Sequence, residues 1–96
     1  MIVWVLYDIK NDRARGKAAK YCKQAGLYRI QYSAFIGQLD LNQRDALSLR
    51  LENEIDITAD KVYILPMSSD ELKQTVLLGQ AFDKKYVSDE VKALFL

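Results

Sequence analysis

The chain has 96 residues, half of them apolar, with a formal net charge of +1 and no histidine. That length makes one domain, and the missing imidazole excludes histidine triads, histidine acid–base chemistry and almost every zinc site with a histidine ligand. One cysteine, Cys22, excludes an internal disulfide and suits a reducing, cytoplasmic home.

Met1 to Ile9 reads as a buried strand, short and apolar on both faces, yet it closes on Asp8, the only acid in the first eleven residues. It is too short for a leader peptide, and no apolar run approaches a membrane span, so no membrane partner is expected. Asn11 or Asp12 then caps a predicted helix running to about Ala25, with Gly26 where a helix-ending glycine belongs. Ala14, Ala18, Tyr21, Cys22 and Ala25 fall on one face of it and Arg13, Lys17 and Lys20 on the other. Gly16, inside this helix, costs about 1 kcal/mol against alanine.

Tyr28 to Leu39 alternates, which predicts one long strand. Tyr28, Ile30, Tyr32, Ala34 and Ile36 would line one face, and Arg29, Gln31, Ser33 and Phe35 the other. Asp40 with Gln43 forms a capping-box pattern opening a helix to about Ile55, with Leu47, Leu51 and Ile55 as its apolar stripe. Lys61 to Pro66 is the next strand, Ser68 with Glu71 opens a short helix, and Thr75 to Leu78 reads as a last strand closed by Gly79.

This order predicts an α+β fold: a ferredoxin-like βαββαβ sandwich over residues 1–79, its four-stranded antiparallel sheet carrying two main helices on one face. The doubly apolar first strand, and Phe35 among polar neighbours, imply a cover for the other face, and a second copy of the chain is the simplest one. The tail, 80–96, ends in Ala93-Leu94-Phe95-Leu96 and suits a strand added to a sheet edge, its own or a partner's.

The charge is unevenly spread. Residues 1–50 hold nine Lys/Arg against four Asp/Glu, whereas residues 51–96 hold five against nine. Five of the cations, Arg13, Arg15, Lys17, Lys20 and Lys23, fall within eleven residues. Phosphate oxygens are the natural partner of such a row, and Tyr7, Tyr28, Tyr32 and Phe35 are available for stacking. The plainer alternative is a solvated basic face with its aromatics, Tyr21 and Tyr32 first, in the core. Arg29, beside apolar positions in a strand, is harder to explain that way. Ser33 either binds phosphate or fills an interface.

Asp8 ends the first strand where the chain leaves the sheet. One carboxylate is too few for a metal within one chain, but Mg²⁺ keeps most of its waters and commonly takes only one or two carboxylates. A two-fold pairing of open sheet faces would bring two copies of Asp8 together. The metal could then activate a water for attack on a phosphodiester without histidine. The alternative is an acid that merely solvates a strand end.

These residues resemble a known family. Tyr7-Asp8-Ile9, the basic helix start at 12–17, GLYRIQYSAF at 26–35 and Gly37-Gln38-Leu39 together resemble the second CRISPR-associated protein family (Cas-two), over nearly the whole chain. The resemblance implies a ferredoxin-like homodimer with C-terminal strands paired across it, and a Mg²⁺ or Mn²⁺ site at the dimer interface built from Asp8 of each chain. It further implies metal-dependent cleavage of RNA or DNA, or an adaptor role bridging the CRISPR integrase (Cas-one) around duplex DNA during spacer acquisition. Tyr7 and Asp8 match the family's Tyr-Asp pair, while Arg15, Arg29 and Phe35 match basic or aromatic functional positions. Lys17 stands where some members carry arginine, and lysine cannot make the bidentate phosphate contact. A small-molecule regulatory domain is a third reading of the fold, against which the basic helix and the lack of a glycine-rich ligand loop both count.

Overall fold

The computed structural model describes residues 1–81. Their elements are β1 (Ile2–Asp8), α1 (Asp12–Gln24), β2 (Tyr28–Gln31), β3 (Ala34–Gln38), α2 (Leu41–Glu54), β4 (Lys61–Met67) and α3 (Ser69–Gln74). The four strands form one sheet in the order β2-β3-β1-β4, with antiparallel neighbours throughout. β1 is therefore central, and this explains its apolar run.

Successive side chains of β1 point to opposite faces. Val3, Val5 and Tyr7 join Ala14, Ala18 and Cys22 of α1 and Leu47 and Leu51 of α2 in the main core. Both long helices thus cover one face, as the pattern predicted. Ile2 and Ile36 lie on the other face, where Leu72 of α3 packs on them, with Trp4, Tyr28, Ile30 and Met67 at the margin. The short helix is therefore part of the cover that the sequence assigned to a second copy. The rest of this face stays open, with Tyr63 and Leu65 of β4 both exposed.

Local chemistry sets the helix boundaries. Asn11 caps α1 by accepting from the Ala14 amide at 2.9 Å. Gly26 follows that helix with φ +88°, letting the Gly26 and Leu27 amides reach the Lys23 and Cys22 carbonyls. Asp40–Gln43 and Ser68–Glu71 are both full capping boxes.

Three expectations need correction. Residues 28–39 make two strands joined by a turn at Tyr32-Ser33, with a register irregularity between Arg29 and Gln31. The alternation survives the turn, with Tyr28, Ile30 and Ile36 on one face and Phe35 on the other, but the long helices cover the Phe35 face and leave the other one to α3. Phe35 pairs with Val5 and is fully buried beneath the helices, while Tyr32 projects from the turn instead of packing in the core. Lastly, Thr75 to Leu78 forms no strand; Val76 and Leu78 are exposed. The tail's pairing strand falls, beyond Gln80 and Ala81, outside the described residues.

Candidate functional site

Asp8 is the last residue of β1, opposite Lys61 of β4. By its register it shares a face with Trp4 and Leu6, away from α1 and α2. Its carboxylate is 64 % exposed, and among the described residues a single ion pair reaches it, from Lys10 Nζ at 3.6 Å. The loop behind it is pinned, because the Lys10 amide donates to Asp60 Oδ1 at 2.9 Å. Asp8 is thus held at the rim of the open face without being buried. No group of three or more potential ligands occurs among the described residues. One chain therefore offers a hydrated Mg²⁺ a single carboxylate, and two such chains would offer the two that this ion commonly takes.

The basic residues divide into two sets. Arg15 is engaged: it donates to the Ile9 carbonyl at 3.0 Å, pairs with Asp12 and lies 5.7 Å from the Tyr32 ring centre. Arg29 is engaged as well, donating to the Tyr32 carbonyl at 2.6 Å and lying over both the Tyr32 and the Phe35 rings. Lys17 pairs with Glu54 at 3.5 Å. The second set, Arg13, Lys20 and Lys23, is exposed on α1 and enters no ion pair among the described residues.

Arg15 is tied to the chain just past the strand end that carries Asp8, through the Ile9 carbonyl. At 1.5 Å per residue, Lys20 lies about 12 Å along the helix axis from its start, on the opposite side of the sheet from the Asp8 face. Asp8 and the whole basic row therefore do not form one compact cluster within a chain.

Tyr7 and Phe35 are core residues. Their rings stack at 6.3 Å with an interplanar angle of 18°, and burial pushes the Tyr7 hydroxyl above the ordinary tyrosine range. Neither ring offers a face to a base in this fold, so each acts by supporting Arg29 and the Tyr32-Ser33 turn. Ser33 sits in that turn, half-buried, its carbonyl accepting from the Tyr7 amide at 3.1 Å. The aromatic residue that strand alternation missed is Tyr32, 68 % exposed between two guanidinium groups. A turn at Tyr-Ser was the signal available for it.

The family model described as CRISPR associated protein Cas2 matches residues 1–75. The chain belongs to the Cas2 family. A relative from Archaeoglobus fulgidus, named CRISPR-associated endoribonuclease Cas2 1, is 37 % identical over 70 % of this chain and 71 % of its own. One from Chloroflexus aurantiacus, CRISPR-associated endoribonuclease Cas2 2, is 37 % identical over 82 % of this chain and 93 % of its own. Among solved structures, a hypothetical protein of Thermus thermophilus superposes with a TM-score of 0.74 at 31 % identity, covering 84 % of this chain and 93 % of that one. Streptococcus pyogenes Cas2 gives 0.72 at 24 % identity, covering 82 % and 100 %, and supports the fold alone. This Cas2-family chain thus has the α+β sheet sandwich expected from its pattern, and no helix among the described residues is long and apolar enough to cross a membrane.

Proposed function

We propose that this chain works as a homodimeric, metal-dependent endonuclease in CRISPR spacer acquisition, with Asp8 of each chain as the catalytic, metal-holding residue. The observation that carries the reading is the place of Asp8. It is an exposed carboxylate ending the central strand on the face that α3 covers only in part, where a second copy would bring its own. The names of the relatives support the nuclease class and favour RNA, with DNA as the second substrate. Mg²⁺ or Mn²⁺, when bound, supplies a water activated for phosphodiester attack. The protein's own part is to hold the carboxylate at the strand end through the Asp60–Lys10 bond.

A second reading has its own observation. Arg13, Lys20 and Lys23 lie along α1, away from the Asp8 face, and enter no ion pair among the described residues. A surface of that kind suits a non-catalytic adaptor that holds duplex DNA for the CRISPR integrase, with Asp8 structural.

Asp8→Asn separates the two. The amide keeps the shape and loses the charge, so the variant should bind nucleic acid and fold as wild type yet lose metal-dependent cleavage of RNA and DNA. Spacer acquisition measured in parallel, with the integrase present, assigns the role. Cleavage at the wild-type rate by Asp8→Asn would remove the enzyme reading and leave the adaptor.

A further inference from the structure

Lys10 is the charged partner of Asp8 among the described residues, and the proposed reaction gives it no part. Tyr7 and Ile9 are buried in the main core, so Asp8 and Lys10, which alternate with them and are exposed, emerge together on the outer side of the chain. The Lys10 amide is fixed by Asp60 Oδ1 at 2.9 Å, and Asp60 Oδ2 accepts from the Asp56 amide, also at 2.9 Å. One carboxylate thus clamps the connection between β1 and α1 to the connection between α2 and β4. With its backbone held there, the lysine returns its ammonium to Asp8 Oδ2 at 3.6 Å.

The same carboxylate is therefore claimed twice. As the metal-holding group it takes a divalent ion, yet in the metal-free chain an ammonium stands against one of its oxygens. That ion pair is built to exchange. Both side chains are about two-thirds exposed, so solvent weakens the pair and nothing traps the lysine beside its partner. A second cation gives a comparison within the same site. Lys61 lies directly across from Asp8 on β4, where side chains share a face, but it enters no ion pair among the described residues. Lys10 touches the carboxylate, whereas Lys61 contributes only a nearby charge.

We propose that Lys10 is an exchangeable counterion of Asp8. It neutralises the carboxylate in the metal-free chain, and it sets the affinity for the divalent ion, which has to displace it. The inference rests on the reading of Asp8 as the metal-holding residue and adds to that site the residue that tunes it. In a two-fold pair each Asp8 brings its own Lys10. The two carboxylates then meet as neutral pairs rather than as like charges, so the pairing does not wait for the metal.

The test is Mn²⁺ binding to the full chain at low salt, read from the loss of the free-ion signal in electron paramagnetic resonance. Lys10→Gln removes the competing charge and should tighten Mn²⁺ binding about two- to fivefold for each pair released, the range of an exposed ion pair. Lys10→Arg keeps the charge and should bind no more tightly than wild type. Lys61→Gln removes an equal charge that makes no contact and should tighten binding less than Lys10→Gln. Asp8→Asn should abolish binding. Suppose Asp8→Asn loses the ion but Lys10→Gln binds it as wild type does, or Lys10→Gln and Lys61→Gln tighten it equally. Either result would overturn the counterion role while leaving the metal reading intact. If wild type bound no Mn²⁺, or Asp8→Asn bound it as well as wild type, both would fail together.

Discussion

Two glycines illustrate how little the residue type says without its surroundings. A Cβ on Gly37 would lie 2.7 Å from Leu27 Cδ2 and 3.2 Å from Leu27 Cα, and the backbone atom cannot swing away. Gly37→Ala should therefore destabilise the protein by about 1–3 kcal/mol, the usual cost of overpacking. Gly16→Ala should do the reverse and stabilise by up to about 1 kcal/mol, because its Cβ enters open space and the helix gains propensity. Denaturant titration of both variants checks the pair; two shifts of the same sign would refute the contrast. Cys22 makes a pH prediction. Burial pushes its thiol up to about 12, against a smaller opposing effect of Arg29. A pKa raised on folding contributes stability that is intact below the unfolded value, about 8.5 for a thiol, and is lost as pH rises toward the folded value. Tyr7, raised by burial, acts in the same direction at higher pH. The urea midpoint should thus fall as pH rises above about 8.5, and fall less in Cys22→Ala. Parallel declines in the two proteins would show that the thiol is not responsible.

At the scale of elements, the fold turns on which segments cover β1. α1 and α2 bury one of its faces, while on the other α3, only six residues long, brings Leu72 onto Ile2 and Ile36. So short a helix depends on its cap. Ser68 accepts from the Glu71 amide at 3.1 Å, and Glu71 accepts from the Ser68 amide at 2.9 Å. Ser68→Ala should cost about 1 kcal/mol, a typical cap value. Trp4, the single tryptophan, packs beside this cluster and bonds Met67 Sδ at 2.8 Å, so it reports on α3. Its emission should shift to the red in Ser68→Ala, and unchanged emission would show that α3 is held by Leu72 alone. The bonds from Ser68 also hold the Glu71 carboxyl below the ordinary carboxylate range. That contribution is present above the unfolded pKa and disappears as pH falls through the depressed one, so the same red shift should appear in wild type upon acidification. The Ser68–Glu71 and Asp40–Gln43 boxes were legible in the sequence because a cap is an interaction between residues three apart. The split of residues 28–39 into β2 and β3 was not, since each half alternates correctly and only the pairing of β2 with β3 shows where the chain reverses.

At the scale of the molecule, the exposed Tyr63 and Leu65 beside half-buried Trp4 and Leu6 form an apolar surface with Asp8 at its rim. Under the dimer proposal, light scattering at micromolar protein should return twice the 11.0-kDa chain mass. Removal of residues 90–96 should return the mass toward that of a monomer, and a folded wild-type monomer would contradict the arrangement. Nucleic-acid binding through the free face of α1 should fall steeply with salt. The log–log slope should drop by about 0.9 for each duplex phosphate that Arg13→Ala or Lys20→Ala leaves without its cation. An unchanged slope would move the interface elsewhere. By itself the sequence determined the two long helices, the helix caps, the buried first strand and the place of Asp8 at its end. Each of these is written in residues a few positions apart, through hydrogen bonds, periodicity or the end of an apolar run. Only the tertiary structure decided that Phe35 is core and Tyr32 surface, that Lys17 is tied to Glu54, and that the basic helix and Asp8 occupy opposite sides of one sheet. Those facts depend on where a turn falls and on which face a helix packs against. They are set by packing between segments far apart in the chain, to which local periodicity is blind.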